Sequence, residues 1–174
     1  MLSPQPTPRR QRGVPVSKNR YPRSVFRIRS LVLVNDHMRD TQLIYASRSF
    51  GYDDLTLTSI LMQARENNAR DGITGCLICR EDLFLQLLEG PRVFVTSTFA
   101  RILRDERHVD VVSLLSSEID RRLFPDWFMR HDPARSWMWT PEEVATGVVG
   151  RASDQEIRGI FERLAKEPAS AAAL

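Results

Sequence analysis

Three polar side chains stand where the surrounding pattern asks for apolar ones. Gln86 interrupts the run Leu83-Phe84-Leu85-Gln86-Leu87-Leu88. Asn68 falls i+4 from Ala64 and i+7 from Leu61, on the face of a helix that those residues turn inward. Tyr45 shares a strand face with Leu43. A buried amide or hydroxyl left without a partner costs ~1–3 kcal/mol, so each needs a hydrogen bond. Backbone or water can satisfy any one of them. All three together point to a planar, hydrogen-bonding ligand between two helices, with Asn68 and Gln86 as its partners. An amide carries both donor and acceptor, which suits a heterocyclic edge of alternating C=O and N–H.

Other reactive residue types read more simply. Cys76 and Cys79 form a C-x-x-C inside the apolar run Ile73–Cys79, with no second pair and no nearby histidine to complete a zinc set. Buried thiols of a reducing compartment are expected, and with them a cytoplasmic location. Arg107-His108 reads as a basic helix end, Glu89 as a strand-end carboxylate, and Trp127 and Met129 as core residues alternating on a strand. Trp137 and Trp139 are expected to anchor a C-terminal cap.

These residues must be positioned by a small set of elements. Thr41–Ser47 alternates as a strand. Leu55–Arg70 has helical spacing, with Leu57, Leu61 and Ala64 on one face and Gly72 ending it. Ile73–Cys79 and Leu83–Glu89 read as a hairpin about Arg80-Glu81-Asp82. Pro91 suits the first position of a second helix carrying Val95, Phe99 and Ile102. Val109–Leu115 and Leu123–Met129 read as two further strands. The order β-α-β-β-α-β-β predicts an α+β, ferredoxin-like sandwich with both helices on one sheet face. Hairpin strands apolar on both faces need cover on the second side as well. Helices opened by Thr140-Pro141 and Asp154, the latter with the stripe Ile157, Ile160, Phe161 and Leu164, are expected to cap that open face.

The same residues carry a resemblance. The blocks Leu43-Ile44-Tyr45-Ala46-Ser47-Arg48, Ala64-Arg65-Glu66-Asn67-Asn68, Gly72-Ile73-Thr74-Gly75, Phe84 to Pro91, Asp105-Glu106-Arg107-His108 and Arg122 to Met129 follow the order and spacing of a BLUF domain, the blue-light sensor that uses flavin. The resemblance covers about residues 41–130. It implies FAD as cofactor, with the flavin ring between the two helices. It further implies that Tyr45 is the photoactive tyrosine and that Gln86 bridges it to the flavin. Asn68, with Asn67 beside it, is then the ring-edge contact, and Arg107 and His108 are flavin-binding. Trp127 and Met129 become the pair that relays the signal. The hairpin tip departs from the family in lacking its usual glycine or asparagine. An excited flavin is a strong oxidant, and a hydrogen-bonded phenol can supply an electron and a proton, so the implied roles are chemically consistent.

Composition bounds the rest. The chain has 174 residues, 42% of them hydrophobic, and a formal net charge of +3. Eight of the 25 basic residues lie in 1–29, which holds none of the 22 acidic ones. The remainder is mildly acidic and a poor nucleic-acid platform. Residues 1–37 carry five of the ten prolines and read as a disordered basic tail. It is either solvated, a basic arm for nucleic acid or anionic membrane, or a stretch preceding a natural start at Met38. Expected organisation is thus a tail over 1–37, a flavin-binding domain over 38–130 and a helical cap over 131–174. No membrane span is expected. A photoreceptor that is not an enzyme is the leading expectation, with output through a protein interface to a separate effector; a homodimer fits the same reading. The competing classes are a light-insensitive flavin- or ligand-binding regulator and an acylphosphatase-like hydrolase. The latter has only Arg48-Ser49-Phe50-Gly51-Tyr52 as a feeble anion loop.

Overall fold

The structure is a computed structural model that describes residues 39–49, 53–80 and 82–169. The expected tail, the Met38 start and most of the Arg48–Tyr52 loop lie outside the described residues. Strand β1 (Asp40–Ser49) leads to helix α1 (Asp54–Asp71), the hairpin β2 (Thr74–Arg80) and β3 (Leu83–Pro91), helix α2 (Arg92–Ile102), β4 (His108–Ile119) and β5 (Arg130–Pro133). A short helix α3 (Pro141–Ala145), a 3-10 turn and α4 (Asp154–Ala165) follow. The sheet order is β4-β1-β3-β2-β5, antiparallel except for the parallel β2–β5 edge. The first four strands have the expected ferredoxin-like arrangement.

Alternation along the strands divides the core in two. Leu43, Tyr45, Leu77, Phe84, Leu88 and Met129 face Leu57 and Leu61 of α1 and Val95 of α2. Ile44, Leu85, Leu87 and Phe124 face Ile157, Phe161 and Leu164 of α4, so the C-terminal helices do cover the second face. Residues three apart on a strand point to opposite sides. Cys76 accordingly lies in the cap core and Cys79 in the other, both free thiols. Burial pushes both thiol pKa values up, so neither is a reactive thiolate.

Two expectations need correction. Pro91 closes β3 and stands at the N-cap; α2 begins one residue later, at Arg92. The last strand is not 123–129 but Arg130–Pro133, which pairs with Cys76–Cys79. Residues 120–129 are irregular because side chains take the bonds that a ladder would have used. Glu89, fully buried, accepts the N–H groups of Leu123 (2.9 Å) and Phe124 (3.0 Å) and the Gln42 amide (3.0 Å). Pro125, inside this stretch, has no N–H to give. The boundary expected between 130 and 131 falls inside β5.

Candidate functional site

Tyr45 and Gln86 are direct cross-strand partners on β1 and β3. The Tyr45 hydroxyl donates to Gln86 Oε1. Among the described residues Gln86 Nε2 has only a sulfur acceptor, Met129 Sδ at 3.5 Å, which is a weak partner. Tyr45 is wholly buried, its ring tilted against Phe99 of α2 at 5.4 Å. Desolvation drives its pKa far up, and the nearby Cys79 and Asp105 push the same way. The side chain is therefore a neutral phenol and a standing donor at any working pH.

Asn68 is 2% exposed, as its helical position requires. Its Nδ2 donates to Phe128 O at 2.7 Å, and its Oδ1 has no partner among the described residues. Above the sheet, Tyr45, Gln86, Leu77 and Met129 form one wall of a cavity of about 190 Å3. Ile60, Ala64, Asn67 and Asn68 of α1 and Thr98 and Ile102 of α2 form its flanks. Replacing Asn68 with alanine removes the acceptor from the cavity and releases Phe128 O. For the flavin that the resemblance implies, retention should weaken by about 1–3 kcal/mol with some photochemistry remaining; unchanged affinity and dark spectrum in a titration would place Asn68 outside the contact.

Arg107 and His108 also line the cavity, but not as a helix end, since α2 stops at Ile102. Arg107 pairs with Asp105 (Nη2–Oδ2 2.5 Å, Nε–Oδ1 2.8 Å) and donates to Gln63 Oε1 at 3.0 Å. That pairing holds the Asp105 carboxyl below its ordinary pKa. His108 opens β4. Desolvation lowers its pKa, Asp105 opposes this, and Arg107 adds to it. A group whose folded pKa is depressed binds fewer protons folded than unfolded, so stability is lost as pH falls from the ordinary histidine value of about 6.5 through the folded pKa. The melting temperature should fall on acidification through that window, and His108→Gln should flatten this part of the profile. An identical slope in the variant would mean that the ring charges freely in the fold.

The structure separates the two residues expected to relay a signal. Met129 is buried beneath the cavity, whereas Trp127 is half-buried against the cap core. Their segment is pinned at several points: Gly75 N donates to Trp127 O (2.9 Å) and Arg65 Nε to Met129 O (3.2 Å). A Cβ at Gly75 would meet Leu87 O at 2.0 Å, so only glycine allows this approach.

Several site residues escaped the sequence reading. Gln63 is i+4 from Asn67, and Ser47 is two residues beyond Tyr45 on one strand face, so periodicity alone marks both. Asp105 sits two residues before Arg107. Glu89 is no ordinary strand-end carboxylate but the buried clamp on 123–124.

The donor set fits a flavin ring: an open acceptor on Asn68, a weakly used donor on Gln86, and Arg107 and His108 along another edge. Among the described residues there is no His/Cys/Asp/Glu cluster suited to a metal, and no helix is long and apolar enough to cross a membrane. A family profile described as "Sensors of blue-light using FAD" matches residues 41–130. Among curated proteins, the photoactivated adenylate cyclase subunit beta of Euglena gracilis is 38% identical over 74 residues, 42% of this chain and 9% of that protein. The blue light- and temperature-regulated antirepressor BluF of Escherichia coli is 36% identical over 87 residues, 48% of this chain and 21% of that protein. The chain thus spans less than a quarter of either relative's length. Among solved structures, BlsA in its photo-activated state superposes with a TM-score of 0.65 at 25% identity, covering 75% of this chain and 98% of that one. The BLUF protein BlrB in its dark state gives 0.62 at 28% identity, over 73% and 96%.

Proposed function

Because the chain belongs to the BLUF family of blue-light sensors that use FAD, we propose that it is a blue-light photoreceptor whose output is a rearranged hydrogen-bond network at Gln86. The observation that carries this reading is the Tyr45–Gln86 bond, with Nε2 of the same amide left on a sulfur. Bound in the cavity, the flavin supplies blue-light absorption and an oxidising excited state. Asn68 orients the ring edge through its open carbonyl, and Arg107 and His108 hold the opposite side. Tyr45 is the electron donor. Its hydroxyl proton already points at Gln86 Oε1, so that oxygen would take the proton as the electron leaves for the excited ring, and the phenol would be restored as the electron returns. Gln86 then turns or tautomerises, exchanging which of its atoms faces Tyr45 and which faces the ring. Met129, in contact with Nε2, is the first residue to register that exchange.

From Met129 the path runs through Arg130 into β5 and the cap. We place the output there, as a protein interface to a separate effector, and organise the chain as a tail (1–37), a flavin-binding domain from residue 38 whose sheet ends with β5, and a cap beyond that strand. Unpaired buried thiols fit a cytoplasmic site of action. The chain's role is sensing rather than catalysis.

The test is a light-minus-dark spectrum of the purified chain. A yellow protein with a reversible red shift supports the reading. Bound flavin without a shift selects a light-insensitive flavin-binding regulator, and a colourless protein that refuses FAD overturns both. Tyr45→Phe should keep the flavin, since ring packing survives, and lose the photocycle, since donor and proton are gone. A normal reversible shift in that variant would remove Tyr45 from the mechanism.

A further inference from the structure

Ser47 lies on the same face of β1 as Tyr45, two residues on, and is 2% exposed. Its Oγ is 2.9 Å from Nδ1 of His108. The His108 ring stands edge-on to Tyr45 (centroids 6.1 Å, 70°) and to Phe84 (5.8 Å, 69°). It lines the cavity, and its Nε2 has no partner among the described residues.

A neutral imidazole has one N–H and one lone pair, and which nitrogen holds the proton is set by the bond the other makes. Burial disfavours the doubly protonated ring here. Two settings remain. If Nδ1–H donated to Ser47, the serine hydroxyl proton would need a second acceptor, and no other hydrogen bond of that hydroxyl occurs among the described residues. If the hydroxyl donates to Nδ1, one bond satisfies both groups, and the ring proton must sit on Nε2. We propose that Ser47 donates to Nδ1 of His108 and thereby fixes the ring as the Nε2–H tautomer, which offers the cavity a hydrogen-bond donor. Ser47 is then a positioning residue: it never reaches the cavity ligand, and it decides what His108 presents to it. The ligand chemistry this favours is a carbonyl-bearing ring edge, and that clause rests on the flavin reading above.

The experiment is long-range proton–nitrogen NMR on the full chain labelled at histidine nitrogens, flavin-loaded and flavin-stripped, with His108 assigned by the signals lost in His108→Gln. The expected parent pattern is an unprotonated Nδ1 and a protonated Nε2 in both forms. Ser47→Ala should give mixed tautomers and raise the flavin dissociation constant about fivefold, the worth of one hydrogen bond. Ser47→Thr, which keeps the hydroxyl, should restore both. A serine that served only packing would leave the nitrogen pattern of Ser47→Ala unchanged, and that result overturns the proposal. So does a protonated Nδ1 in the parent, a measurement that needs no variant to fold. If the chain took up no flavin, the photoreceptor reading would fall, while the stripped protein's nitrogen pattern would still decide the role of Ser47.

Discussion

Gln86→Leu is expected to abolish the red-shifted state while the flavin stays bound. Leucine approximates the volume of glutamine and removes both donor and acceptor, so no amide remains to reorganise between Tyr45 and the ring. Asn68, Arg107 and the rest of the cavity lining are untouched, and binding should persist. Dark absorption should move slightly, because a hydrogen bond to the ring is missing. On sequence grounds this swap reads as one a core tolerates well. The structure alters that expectation: Gln86 Oε1 is the acceptor for a hydroxyl that is wholly buried. Leucine strands it, and the fold should lose about 1–3 kcal/mol even though the substituted residue is apolar. Difference spectra of variant and parent under blue light, with urea unfolding beside them, check both halves. A parent-like red shift would return Gln86 to the role of a satisfied core amide.

The largest stability effect should come from a residue outside the cavity. Asp132 of β5 is fully buried and accepts from Arg130 Nε at 2.5 Å and from Arg135 Nη2 at 2.7 Å. Arg130 is itself 3% exposed and also donates from Nη1 to Glu167 O and from Nη2 to Pro168 O, each at 3.2 Å. Trp137 adds a bond to Glu167 Oε1 at 3.1 Å beneath the Arg163 guanidinium, so it anchors the cap as expected. The network joins β5 to the chain just beyond α4. Asp132→Ala leaves a buried guanidinium without its carboxylate, which costs about 3–5 kcal/mol, a large share of the roughly 5–15 kcal/mol that holds a domain folded. The urea midpoint should drop steeply with little change in slope. A loss under about 1 kcal/mol would show that Arg130 swings to water at little cost. In whatever fraction stays folded, the primary photochemistry should survive, since Tyr45, Gln86 and Asn68 lie on the other face of the sheet.

Periodicity was enough to place Tyr45, Asn68 and Gln86 on buried faces, and all three line one cavity. A period of two or of 3.6 is a local property, and a polar residue that breaks it is visible without knowing its neighbours. The strand β5 was not visible in the same way. Arg130-His131-Asp132 looks like solvated surface, because the cost of burying those charges is met by Arg135 and by carbonyls 37 and 38 residues further on. The preceding residues, Leu123 to Met129, look like a strand because they are apolar. The N–H groups of Leu123 and Phe124 go instead to Glu89, 34 and 35 residues back, and the carbonyls of Trp127, Phe128 and Met129 accept from Gly75, Asn68 and Arg65. What the amino-acid order determined by itself was therefore the element order, the two-faced core and the three polar residues at its centre, all of which follow from apolar area that must leave water. Only the tertiary structure decided that Met129 lies under the cavity and Trp127 against the cap, that Arg107 is tied to Asp105, and that Ser47 holds His108. Those outcomes depend on partners for single polar atoms, and a partner distant in sequence leaves no periodic trace.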